Sequence, residues 1–310
     1  MRRGHDSEGV QVRIQRVILW ALAARGFFSR YVFHGGSCLY FFYENVRWSE
    51  DLDFVKHRGN PDHPTKDLAA IEEALREAVR LIPVFIEEVE SAEVKCQKRT
   101  GDVLRFIVKV SVRGERRKTR VNVEIADVAA YRIMVKPFEQ ALIAVEDPLE
   151  ILADKMVALA ARAHSWGEPK VRDVLDLYFL GEGRGLLRPE TLSETLDILV
   201  ELIVRKLRDY RLSASEFQKG TEHLKRWLDR PETLEDLRVT FMRYALPSHR
   251  AGELAMYVYC EQTLRFAKKA LSGGGLFEIL LERMRTMEAE SSKHSRKVSF
   301  SPGSAPVPGS

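Results

Sequence analysis

Apolar residues recur at helical spacing from Val10 to Ala24 and stop at Arg25-Gly26, which predicts an opening helix. A short strand then turns at Phe33–Ser37 into an amphipathic segment, and Asp51–Lys56 reads as the next strand. Thr65–Val79 is helical in pattern, with Leu68, Ile71, Leu75 and Val79 in register and charges opposite. Val84–Val89, Val103–Val112 and Arg120–Ile125 are runs rich in Val and Ile that predict strands, the last two joined by the basic turn Gly114–Lys118. Mixed helices and strands in this order predict an α+β core, a small mixed sheet with flanking helices. From Pro148 onward the pattern is helical: Glu150–Arg162, Val171–Phe179, Leu192–Leu207 and Leu254–Leu271, with breaks at Pro189, Pro231, Pro247 and Gly273–Gly275. The chain thus divides into a core at 1–145, a helical region at 146–290 that completes the site, and a tail at 291–310. The tail ends SPGSAPVPGS, cannot bury apolar surface, and is expected to be disordered.

Composition narrows the class. With 310 residues, 45% apolar and 30% charged, the chain is long enough for a sizeable core and ordinary for a soluble protein. No apolar run approaches the ~20 residues of a membrane span, and no signal-peptide core follows the Met-Arg-Arg-Gly start. Cys38, Cys96 and Cys260 form no paired motif, which argues against structural zinc and for a reducing cytoplasm. The net charge is +4, but it is unevenly spread: Lys95–Arg120 holds ten Lys or Arg against Asp102 and Glu115. Such a region can hold a nucleic-acid backbone, and a solvated strand face would have the same composition. Few aromatics interleave with the charges, so no base-stacking platform is indicated.

The chemistry concentrates in Tyr31–Lys56. Gly35 and Gly36 permit a sharp turn and close approach. Ser37 reads as an N-cap, so its hydroxyl and the following amides would face a phosphate. In SEDLDF, Asp51 and Asp53 share one strand face while Leu52 and Phe54 take the other. Carboxylates about 7 Å apart along a strand, beside a phosphate cradle, suit Mg²⁺ carrying a nucleoside triphosphate. In RVNVEIAD, alternation places Glu124 with Asn122 and away from Val123, which makes Glu124 the candidate third acid and Asp127 the fallback.

These residues resemble the signature of the AbiEii/AbiGii nucleotidyltransferases, a branch of the DNA-polymerase-β superfamily that includes abortive-infection toxins and the mycobacterial MenT toxins. The GG[ST]-x-L part is Gly35, Gly36, Ser37 and Leu39, and the Arg-x-Ser-x-Asp-x-Asp-Phe part is Arg47, Ser49, Asp51, Asp53 and Phe54. Thirteen residues separate Ser37 from Asp51, where the family motif has about ten to twelve. EILADK resembles the family's helix with E-x-x-A-x-K, which assigns Lys155, and KVRDVLDL resembles its RD-x-x-D-L block, which assigns Asp173 and Asp176. The resemblance spans roughly Phe33–Leu180. It implies a polymerase-β-type nucleotidyltransferase core in which Asp51, Asp53 and Glu124 hold two Mg²⁺ ions. Gly36, Ser37, Arg47 and Asp176 would contact the nucleotide, Lys155 would reach the triphosphate, and Asp173 would complete the site, with Arg162 as a helper. It further implies the toxin of a toxin–antitoxin pair, with RNA, above all the 3′ end of tRNA, as acceptor and a cognate antitoxin as partner. Two alternatives stand beside this reading. One is a transferase acting on a small-molecule or protein hydroxyl; the other is a decayed module that binds only nucleotide or antitoxin.

Overall fold

The first helix, α1 (Val10–Ala24), buries Ile14, Ile18, Leu19 and Leu22, a stripe at three- and four-residue spacing. Gly26, at φ 70°, takes the left-handed turn that lets the chain leave the helix. The computed structural model describes residues 9–298 except 191, 247, 248, 250 and 251. The chain continues as β1 (Tyr31–His34), α2 (Gly35–Tyr43), β2 (Asp51–His57), α3 (Leu68–Phe85), β3 (Val89–Arg99), β4 (Val103–Val112), β5 (Thr119–Ala130), β6 (Ile133–Phe138) and β7 (Ala141–Glu146). The helical region comprises α4 (Pro148–Trp166), α5 (Val171–Tyr178), α6 (Leu192–Asp209), α7 (Ala214–Leu228), α8 (Thr233–Tyr244), α9 (Glu253–Leu271) and α10 (Leu276–Val298). Among the described residues, no helix is long and apolar enough to cross a membrane.

The fold is mixed α/β, with one seven-stranded sheet in the order β3-β4-β5-β2-β1-β7-β6. β1 runs parallel to β7, β2 runs parallel to β5, and the remaining neighbours are antiparallel. Alternation separates the two faces of the wing. Leu104, Phe106, Val108 and Val110 of β4 and Val121, Val123 and Ile125 of β5 are fully buried. Arg105, Lys109, Asn122 and Glu124 occupy the opposite, more accessible face.

Several elements differ from the sequence pattern. The apolar run Val84–Val89 is not a strand: α3 continues to Phe85, with Pro83 inside it, and β3 begins only at Val89. β6 and β7 have no counterpart in the expected elements. β6 is an edge strand containing Pro137, a position where the missing N–H is tolerated. The helix α10 extends to Val298, so 291–298 is helical where a tail is expected; the rest of that expectation, 299–310, lies outside the described residues.

The helical region is built around α4, which is buried on nearly all sides from Leu149 to Ala163. Asp147 caps it by accepting from the Leu149 amide at 2.9 Å, Pro148 opens it, and Gly167 closes it at φ 74°. Gly220 of α7 lies so close to α4 that a Cβ there would fall 2.0 Å from the Ala160 carbonyl oxygen. The stretch between α2 and β2 ties the sheet to these helices. The Trp48 amide donates to the Tyr244 carbonyl at 2.9 Å, and the Leu246 amide donates to Val46 at 3.0 Å. The long Ser37–Asp51 spacing is absorbed here, after Glu44 ends α2 in the left-handed region at φ 61°.

Candidate active site

Strand register assembles a row of ionisable side chains across the open face. Asp53 pairs with Glu124 of β5, Glu124 pairs with Arg105 of β4, and Asp53 pairs with His34 of β1 on its other side. One step along, Asp51 pairs with Asn122. Neighbouring strands stand about 4.8 Å apart, so Asp51, Asp53 and Glu124 lie side by side on one face of β2 and β5. The alternation that favours Glu124 over Asp127 is matched by this register. Asp127 lies further along β5, where it ion-pairs with Lys56 at 2.7 Å.

Each acid is oriented by a neighbour. Asp51 accepts from Asn122 Nδ2 at 2.8 Å and from Arg172 at 3.2 Å, and Glu124 pairs with Arg105 at 2.9 Å. Burial pushes the Asp53 carboxyl above its usual range, and the charges of Asp51 and Glu124 push the same way; His34 and Lys170 oppose them. Three carboxylates on adjacent strands, one of them short of positive charge, offer the hard oxygen donors that Mg²⁺ takes. The residues fit that ion.

The glycines serve this geometry from the other side. Gly35, at φ 76°, opens α2, and a Cβ there would sit 2.9 Å from Asp53 Oδ2. A Cβ on Gly36 would lie 3.0 Å from an Arg47 nitrogen and 3.2 Å from Ser49. The glycines therefore let the helix start press against Asp53 and Arg47. Ser37 departs from its expected place: His34 is the N-cap, Ser37 lies inside the first turn, and its buried hydroxyl donates to the Asp51 carbonyl. That bond fixes the start of β2 against α2. The amides of this first turn have no carbonyl partner within the helix.

Two successive helices bring the remaining candidates together. Arg172 and Asp173 are adjacent on α5; the former touches Asp51, and the latter accepts from Lys155 of α4 at 2.5 Å. Lys155 also meets Asp176 at 2.9 Å. Burial disfavours the charge on Lys155, but Asp173 and Asp176 outweigh it and hold the ammonium above its usual range. Asp173 is held low in turn: burial opposes, and Lys155 with Lys170 prevails. Arg47 and Asp176, expected at the nucleotide, are joined to each other instead. Arg47 is 1% exposed and grips the fully buried Asp176 carboxylate with two nitrogens, while Asn45 adds a bond at 3.0 Å. The pair fastens α5 to the segment before β2. Arg162 is remote in its contacts and stacks on Trp166, 5.2 Å from the ring centre.

A second cluster adjoins the row beyond His34. The His34 Nδ1 lies 3.5 Å from Glu146 Oε2, and His34, Glu146 and Asp154 bring potential ligand atoms within 4.8 Å of one another. A fully buried cation is already present there. The Lys206 ammonium contacts Glu146 at 3.0 Å, Glu150 at 2.7 Å and Asp154 at 2.9 Å. Burial raises the Glu150 and Asp154 carboxyls, Glu146 adds to the rise, and Lys206 opposes it. His34, Arg105, Lys170 and Arg172 carry no assigned role in the sequence reading. Register from Asp53 and Glu124 points to His34 and Arg105, and the motif around Asp173 contains both others.

No curated protein matches the chain. Among solved structures, JHP933 from Helicobacter pylori is 19% identical, with 91% of this chain and 96% of that one covered at a TM-score of 0.44. The nucleotidyltransferase toxin MenT4 from Mycobacterium tuberculosis is 16% identical, with coverage of 89% and 92% and a TM-score of 0.38. These likenesses are distant, and the family match carries the assignment. Residues 17–254 match the family described as nucleotidyl transferase AbiEii toxin, type IV toxin–antitoxin system, and the chain belongs to that family.

Proposed function

We propose that this toxin nucleotidyltransferase moves a nucleoside monophosphate from an NTP to the terminal hydroxyl of RNA, above all the 3′ end of tRNA, with Mg²⁺ held by Asp51, Asp53 and Glu124. The observation that carries the reading is where the acid row opens. The face bearing Asp51 and Asn122 continues into a groove of about 520 Å³ whose lining includes Arg105, Lys118, Arg120 and Asn122, with Glu50 the one acid. Next to it lies a cavity of about 670 Å³ among Glu93, Lys109, Arg117, Lys118 and Arg120. A polyanion following this basic surface would deliver its end to the carboxylates.

When bound, Mg²⁺ would neutralise phosphate charge and acidify the attacking hydroxyl. The first-turn amides of α2 offer donors to phosphate oxygens beside Asp53. Glu124 stands on the groove side and accepts the proton of the acceptor hydroxyl. The acceptor oxygen, so deprotonated, bonds to the α-phosphorus in line as the bond to pyrophosphate breaks. Arg105 and Arg172 keep Glu124 and Asp51 facing the reacting atoms. Asp173 and Lys155 hold α5 against this site. A cognate antitoxin is part of the same reading, since the family is that of a toxin–antitoxin system.

The test supplies each α-labelled NTP to the full chain with total tRNA, with other RNA and with no acceptor. The expected result is label in tRNA. Label in protein, or in a small molecule with no effect of RNA, would overturn the acceptor while leaving the transferase intact.

A further inference from the structure

Four cations surround the carboxylate row with their charges already matched. Lys155 is held by Asp173 and Asp176, Arg47 by Asp176, Arg172 by Asp51 and Arg105 by Glu124. Lys170 differs from all of them. It is the residue before α5, half-buried, and two residues from Arg172, whose guanidinium reaches Asp51 at 3.2 Å. Among the described residues, no carboxylate forms an ion pair with its ammonium and no acceptor takes a hydrogen bond from it. Burial holds Lys170 below the usual lysine range, as expected for an ammonium that has lost water without gaining a partner. An ammonium in that condition favours an anion brought from outside.

The surroundings indicate which anion. Asp53 is the residue against which Gly35 presses the start of α2, and its strand neighbour on the same face, Asp51, is touched by Arg172. The start of α2 and the segment that carries the unpaired ammonium therefore border the same pair of carboxylates, Asp51 and Asp53. An anion entering between them must itself be compatible with a carboxylate-bound divalent cation, which describes a polyphosphate. We propose that Lys170 is the cation that binds the β- and γ-phosphates of the NTP and meets the charge on departing pyrophosphate. This rests on the NTP-dependent reading above. Lys155 is then a positioning residue, since its ammonium would have to abandon two carboxylates to reach the nucleotide. The assignment differs from that implied by the motif around Lys155, and it follows from how the two lysines are paired.

The experiment measures binding of Mg²⁺-NTP and of the corresponding NMP to the full chain by titration calorimetry, alongside KM and kcat for transfer. Lys170→Ala should weaken NTP binding and raise KM by at least tenfold. It should leave NMP binding and the melting temperature near those of the wild type, and Lys170→Arg should restore most of the NTP affinity. Lys155→Ala should instead lower the melting temperature while changing NTP affinity less than Lys170→Ala does. NTP affinity equal to wild type in Lys170→Ala, or an equal loss for NTP and NMP, would overturn the proposal alone. A wild-type protein that binds none of the four NTPs would overturn it together with the reading it rests on.

Discussion

Replacing Asp176 by Asn separates the role of the buried pair from the chemistry beside it. The wild-type carboxylate receives two Arg47 nitrogens, Asn45 at 3.0 Å and Lys155 at 2.9 Å, and it has no access to solvent. In Asp176→Asn the shape is kept, but Arg47 retains a buried charge without a counter-charge, and an amide N–H is set against a guanidinium. Removing one partner of a buried pair costs about 3–5 kcal/mol. With an unfolding entropy of roughly 2.1 cal/mol/K per residue, a chain of this size carries about 0.65 kcal/mol/K, so the melting temperature should fall by about 5–8 °C. Differential scanning calorimetry at pH 7 reads this directly. The double variant Arg47→Met/Asp176→Leu, which removes both charges, should recover much of the loss. The pH dependence has a definite sign. Burial raises the Asp176 carboxyl, but Arg47 and Lys155 outweigh it and hold it well below the ordinary carboxylate value. The folded chain therefore binds fewer protons here than the unfolded one, and the contribution is full above about pH 4 and is lost as the pH falls further. The gap between wild type and Asp176→Asn should narrow on acidification below that point. A single variant that melts within a degree of wild type at pH 7, or a gap that widens in acid, would refute the reasoning.

Other outcomes follow from the same geometry. Lys206→Met should destabilise strongly near pH 8, where Glu146, Glu150 and Asp154 lose their cation, and less near pH 5, where Glu150 and Asp154, which burial raises, take up protons; melting curves at the two values check this. Gly220→Ala should prevent α7 from seating on α4, because the added Cβ meets the Ala160 carbonyl at 2.0 Å, and a large drop in folded yield would show it. Reversing the charge of Arg116, Arg117 and Lys118 should weaken RNA binding and its salt dependence while leaving NTP affinity unchanged, as read by binding isotherms at several salt concentrations.

Local pattern and long-range pairing divide what could be read from the chain. The α1 boundaries follow from apolar spacing and the Arg25-Gly26 stop, and the face on which Glu124 lies follows from strand alternation, because both are period arguments. Ser37 is misplaced by the same kind of reasoning. Gly35 and Gly36 can themselves begin the helix, so the cap moves back to His34. β6 escapes notice because an edge strand with Pro137 and exposed positions has no apolar alternation. The joining of Arg47 to Asp176 spans 129 residues, and no local rule pairs them. Motif order brings Lys155 and Asp173 to one region, but only the packing of α4 on α5 distinguishes a lysine held by two carboxylates from one held by none.

The central claim is transfer at the Asp51, Asp53 and Glu124 carboxylates, and incorporation of α-labelled NTP into tRNA by wild type and Asp53→Asn tests it most directly. Wild type should label tRNA in Mg²⁺ and lose the activity in chelator. Asp53→Asn should be inactive in both conditions while melting at or above the wild-type temperature, because a half-buried acid facing like charges is neutralised. Undiminished labelling by Asp53→Asn, or by wild type in chelator, would contradict the account.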